Sequence, residues 1–323
     1  MGNRDPRLNL APYSGKEWAN ELVREMDESS AMEFKEYVGW GRKPYHGIYV
    51  NVDDNGVRKT WEPPDLPSTS TTIYFFGGST MWGSGVQDDG TVASYASKIL
   101  HEQNYPANVT NYGEGGYAFT QEIVKLSLLL RSGARPDYVI FYDGVNDVAA
   151  SYESGEAGTA VNLPLIQDQL IPGSLAKIKS GLRQFAKENC VLCNTVLSAI
   201  RIISPNSFRA FNIAGSSYSD DQLKELADDT KTYYDTSLAM LDQLSRSYGF
   251  KYLTFWQPNL FFSNSSEELG KKLASVDPRA VDQKIAKLHV MVGAEMPDNP
   301  QMHFFNISDA LKDQGENAFL DHA

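Results

Sequence analysis

From residue 71 onward the chain alternates short apolar β-type runs with amphipathic helical stretches, and that alternation most restricts what it can become. Thr72–Phe76 reads as a strand, followed by a helix over about Val92–Gln103 that Pro106 stops. Val109–Tyr112 reads as a second short strand, and about Thr120–Arg131 as a helix with Ile123, Leu126 and Leu130 on one face. Tyr138–Tyr142 is a continuous apolar run, the pattern of a strand buried on both faces. A capping box at Ser219 and Gln222 opens a helix that runs to Tyr248 and ends at Gly249. Its expected core face is Leu223, Leu226, Tyr233, Leu238, Leu241 and Leu244. Strand Lys251–Trp256, a mobile segment over about Asn259–Met296 and a last strand His303–Ile307 complete the pattern. Strands alternating with helices predict an α/β chain with a parallel sheet covered on both faces.

Residues 1–70 break this rhythm and read as an N-terminal extension packing on the core. A helix fits Glu17–Phe34, and Tyr45–Thr60 reads as a hairpin turning at Asp53-Asp54-Asn55-Gly56. Pro63, Pro64 and Pro67 mark a linker. Residues 71–323 form the main domain, interrupted at about 151–218 by an insertion or lid that carries the basic patch Lys177–Lys187.

In open parallel sheets, sites form at the carboxyl ends of the strands. Three glycine- or polar-rich loops fall there: Gly77–Thr80, Gly113–Tyr117 and Asp143–Asp147. Acyl transfer needs a nucleophile, a base, an orienter for that base and donors aimed at the developing oxyanion. The first loop offers Ser79 on a turn with two glycines before it. The second lets backbone N–H groups approach a reacting atom, with Gly115 and Gly116 both eligible. The third offers the Asn146 amide, and the last segment a carboxylate, Asp321. Trp82 and Tyr117 flank these loops and could stack on a sugar or acyl group, or fill the core, and Gln257 ends a strand near the same edge.

Taken in order, Phe76-Gly77-Gly78-Ser79-Thr80, Gly116 five residues after Asn111, and Gly144-Val145-Asn146-Asp147 resemble the blocks of the SGNH hydrolases, also called GDSL-type esterases. The resemblance covers roughly residues 71–150 and 230–323 and has the G-G-S-T form of the first block. It implies a three-layer α/β/α sandwich of flavodoxin-like type. It also implies Ser79 as nucleophile, with the Ser79 and Gly116 N–H groups and the Asn146 side chain as the oxyanion hole. The family's last block is D-x-x-H. Asp321 fits the acid, and the histidine is then expected at position 324, one residue past Ala323. His322 is the alternative base, although its place directly after Asp321 turns its side chain elsewhere.

The implied activity is hydrolysis of O-acyl esters, O-acetyl first, on a carbohydrate or cell-surface glycan. This substrate class follows from a resemblance to bacterial envelope-polysaccharide SGNH proteins. The alternatives are an O-acyltransferase working through the same acyl-enzyme, and an inactive glycan-binding protein of the same fold.

A net charge of -12 argues against nucleic acid and anionic membrane surfaces as partners. No apolar run approaches a membrane span, and the first residues carry no signal pattern, so the expectation is a cytoplasmic chain or one whose upstream signal or anchor was removed. No cofactor or metal is expected: His46, His101, His289 and His303 lack metal-ligand spacing. Cys190 and Cys193 read as a small disulfide or two buried thiols.

Overall fold

The computed structural model describes residues 5–163, 213–315 and 318–322. Cys190, Cys193, Lys177–Lys187 and most of the expected insertion lie outside the described residues. Strands β1 (Met32–Lys35), β2 (Gly39–Arg42), β3 (Tyr45–His46) and β4 (Asn51–Val52) belong to the N-terminal segment, together with helix α1 (Ala19–Glu28). The main sheet comprises β5 (Thr71–Gly77), β6 (Ala107–Asn111), β7 (Tyr138–Asp143), β8 (Lys251–Trp256) and β9 (Phe304–Asn306). Its order is β6-β5-β7-β8-β9, and every pair in it is parallel. The helices are α2 (Ser79–Trp82), α3 (Val92–Glu102), α4 (Phe119–Arg131), α5 (Val145–Ser154), α6 (Asp220–Tyr248), α7 (Ser266–Leu273) and α8 (Gln283–Ala294).

Side-chain alternation along the strands explains why both faces are covered. Phe76, Val139 and Phe141 point to one side and pack with Ile123 and Leu126 of α4, Leu238 of α6 and Leu288 of α8. Ile73, Phe75, Ile140 and Tyr142 point to the other and pack with Ala93, Ala96 and Leu100 of α3. The result is the expected α/β/α sandwich.

Three expectations change. The first helix ends at Glu28, and Met32–Lys35 instead pairs antiparallel with Gly39–Arg42. In α6 the core position is Tyr234, 2% exposed, and Tyr233 is 42% exposed. Buried Ala227, Thr230, Ser237 and Leu241 are spaced three, four or seven residues from position 234, which puts position 233 one helical step off the face. The span expected to be mobile, Asn259–Met296, carries α7 and α8, whose Leu269, Leu273, Ile285, Leu288 and Val292 are buried. The expected hairpin turn at Asp53–Gly56 is present, closed by the Asp53 N–H to Val57 O, while a second turn at Gly47–Val50 pairs β3 with β4.

Candidate active site

Parallel register brings the three loops together. Phe75 pairs with Asn111 and Gly77 with Tyr142, so β5, β6 and β7 end at one edge of the sheet. Ser79 is the first residue of α2, directly after Gly78. Gly78 has to be glycine, because a Cβ there would lie 2.1 Å from Asn146 Nδ2. That amide donates to Tyr117 O at 2.7 Å and carries a second N–H for another acceptor. Gly116 holds φ +80°, a left-handed turn that costs a side-chain-bearing residue strain. Glu114 N–H donates to Gly77 O at 2.9 Å and joins the second loop to the first. Half-buried Asp147 accepts from Phe119 N–H at 3.2 Å and joins the third loop to α4; burial pushes its carboxyl up to about 6.

The N-terminal segment braces these loops. Arg42 of β2 donates from its backbone N–H and from Nε to the buried Glu114 carboxylate, at 3.0 and 3.1 Å. Trp40 Nε1 donates to Gly115 O at 2.9 Å, and Gln121 Nε2 donates to Val38 O at 2.8 Å. Trp82 is buried with the Arg42 guanidinium 4.0 Å and the Arg58 guanidinium 4.3 Å from its ring centroid. Tyr117 is equally buried and donates its hydroxyl to Trp40 O. Gln257, 3% exposed, donates to Thr80 Oγ1 at 3.3 Å. The three side chains considered for substrate contact are therefore buried, each held by contacts of its own.

Ser79 lines a cavity of about 560 Å³ whose wall also includes Tyr13, Trp18, Tyr95, Leu320 and Asp321. Asp321 thus shares a cavity with Ser79. His322 does not line it. Its ring is 3% exposed, its Nδ1 lies 2.5 Å from Asp277 Oδ2, and its buried Nε2 has no hydrogen-bond partner among the described residues. Burial pushes the Asp277 carboxyl up, but His322 and Arg279 outweigh it and hold the group well below the usual carboxylate range. The structure thus gives His322 to Asp277, a residue that no motif in the sequence singles out. Tyr13, Trp18 and Tyr95 were also missed; the first two sit in a segment with no motif, and Tyr95 lies on a helix face that spacing alone leaves exposed.

A comparison with curated proteins returned no match. Among solved structures, the SGNH-hydrolase family esterase AlinE4 aligns at 23% identity with TM-score 0.24, covering 25% of this chain and 44% of its own length. An acetyl xylan esterase, AlAXEase, aligns at 14% identity over 74% of this chain and 78% of that one, TM-score 0.37. An acylhydrolase from Bacteroides fragilis described as putative aligns at 11% over 79% and 76%, TM-score 0.34. The family description "GDSL-like Lipase/Acylhydrolase" matches residues 73–277, more than half of the chain. With the match running from β5 to Asp277 and taking in all three sheet-edge loops, the chain belongs to the GDSL-like lipase/acylhydrolase family.

Proposed function

We propose that this protein is a serine esterase that removes O-acyl groups, O-acetyl first, from a carbohydrate or cell-surface glycan. In this reading Ser79 Oγ attacks the ester carbonyl and forms an acyl-serine, which water then hydrolyses. The Ser79 and Gly116 N–H groups and the second Asn146 N–H receive the oxyanion. The observation that carries the reading is the contact at Gly78. It places the only side-chain amide of the three loop ends against the residue preceding a serine that opens onto a cavity.

The base and its orienter are proposed from the C-terminal segment. Asp321 reaches the cavity, and His322 carries the Nδ1–carboxylate anchor that a catalytic imidazole needs, supplied by Asp277. Because Nε2 of His322 is enclosed, serving Ser79 requires residues 318–322 to shift.

Hydrolysis of p-nitrophenyl acetate and of an O-acetylated oligosaccharide tests the reading. Ser79→Ala should abolish both activities, and equal turnover by the variant and the parent would sink the proposal. With an acceptor sugar present, acetate release identifies an esterase and acetyl-sugar formation a transferase. If His322 is the base, His322→Ala falls as far as Ser79→Ala; undiminished activity assigns the proton to another acceptor.

A further inference from the structure

Beneath the oxyanion loops lie two acids that the reaction above does not use. Glu122, in the first turn of α4, is 0% exposed, and Asp143, the last residue of β7, is 3% exposed. The two carboxyls bear on each other's ionisation, and no N–H or O–H donor among the described residues reaches any of the four buried oxygens. Two carboxylates are acceptors only, so they can bond to each other only if one carries a proton.

Among the described residues no cation forms an ion pair with either acid. Asp147 of α5 adds further negative charge to both. Lys125 of α4 is the cation whose charge reaches Glu122. Its Nζ donates to Tyr112 O at 3.3 Å, and it forms no ion pair with Glu122. Tyr234 of α6 is buried beside the three acids, and its hydroxyl has no hydrogen-bond partner among the described residues. Two adjacent charges in such a place would each lose hydration and repel the other. Burial accordingly holds both carboxyls in the neutral direction.

Position gives the pair its meaning. Glu122 comes four residues after Ala118, where the Gly116 loop ends, and Asp143 comes three residues before Asn146. We propose that Glu122 and Asp143 share a proton and act as positioning residues, fixing the separation of the Gly116 and Asn146 oxyanion donors. The assignment rests on the esterase reading. When the shared proton leaves to solvent base, two like charges face each other, the loops part, and activity falls on the alkaline side.

Infrared difference spectroscopy tests the proton directly. At pH 7 the folded protein should show the C=O stretch of a protonated carboxylic acid, lost in the Glu122→Gln/Asp143→Asn double variant and kept in Ser79→Ala. The positioning role is read from kinetics. Glu122→Gln, whose amide donates permanently to Asp143, should keep most of kcat at pH 7 and lose the alkaline decline. Glu122→Leu should lower kcat tenfold or more with little change in KM, since substrate binding is not what it disturbs. If Glu122→Leu does not fold, the infrared band and the Glu122→Gln profile decide. Absence of the band, or an unchanged alkaline limb in Glu122→Gln, overturns the proposal. Full activity in Ser79→Ala with the band intact overturns the esterase reading and the positioning role, while the shared proton stands.

Discussion

The sheet-edge and C-terminal ends of the candidate site are built in opposite ways. At the sheet edge, Glu122, Asp143 and Asp147 lie where burial disfavours charge, and all three carboxyls are raised. At the C-terminal end, Asp277 is also nearly buried but meets His322 and Arg279, and its carboxyl is lowered. Burial is common to both, so the partner decides the sign. One end therefore favours a proton and the other a negative charge.

The largest effect expected from probing this contrast is at the proposed nucleophile. Ser79→Ala should lower kcat for acetyl ester hydrolysis by about a thousandfold or more. Asn146→Ala should cost about 100- to 1,000-fold in kcat, and Gly78→Ala, which drives a methyl onto the same amide, should approach it. Stability separates the two ends next. Glu114→Ala strips Arg42 of its buried partner and should destabilise the fold by about 3–5 kcal/mol in urea unfolding.

The smallest effects are the most diagnostic, because the two ends should titrate with opposite slopes. Asp147, raised to about 6, favours the fold fully below the ordinary carboxylate range near 4, and this contribution is lost as pH rises from there to about 6. Asp147→Asn should flatten that decline in the Tm-versus-pH curve. Asp277, being lowered, contributes above the ordinary carboxylate range, and this is lost as pH falls through it. Asp277→Asn should flatten the acid limb instead. The shifts in Tm should be a few degrees in each case, and slopes of the same sign for the two residues would break the comparison.

Much of the sheet-edge end was legible in the residues. Strand Lys251–Trp256 and the Ser219-capped helix to Tyr248 fall where periodicity and capping put them. The Gly77–Thr80, Gly113–Tyr117 and Asp143–Asp147 loops meet as strand alternation requires. The C-terminal end was far less legible. Asp277 sits in a segment with no strand and reaches His322 across 45 residues, and no local pattern records such a pairing. Trp82 and Tyr117 show the same limit in reverse: their types suit a ligand platform, but Arg42, Arg58 and Trp40 from the N-terminal segment occupy them.

By itself the amino-acid order determined the layered α/β architecture and the serine, glycine and asparagine at its strand ends. Hydrophobic period, caps and turn glycines are short-range signals, and parallel pairing then carries those loops to one edge. Only the tertiary structure decided which carboxyls carry charge, which histidine meets which acid, and which aromatics face the cavity. Those properties depend on burial and on partners distant in the chain.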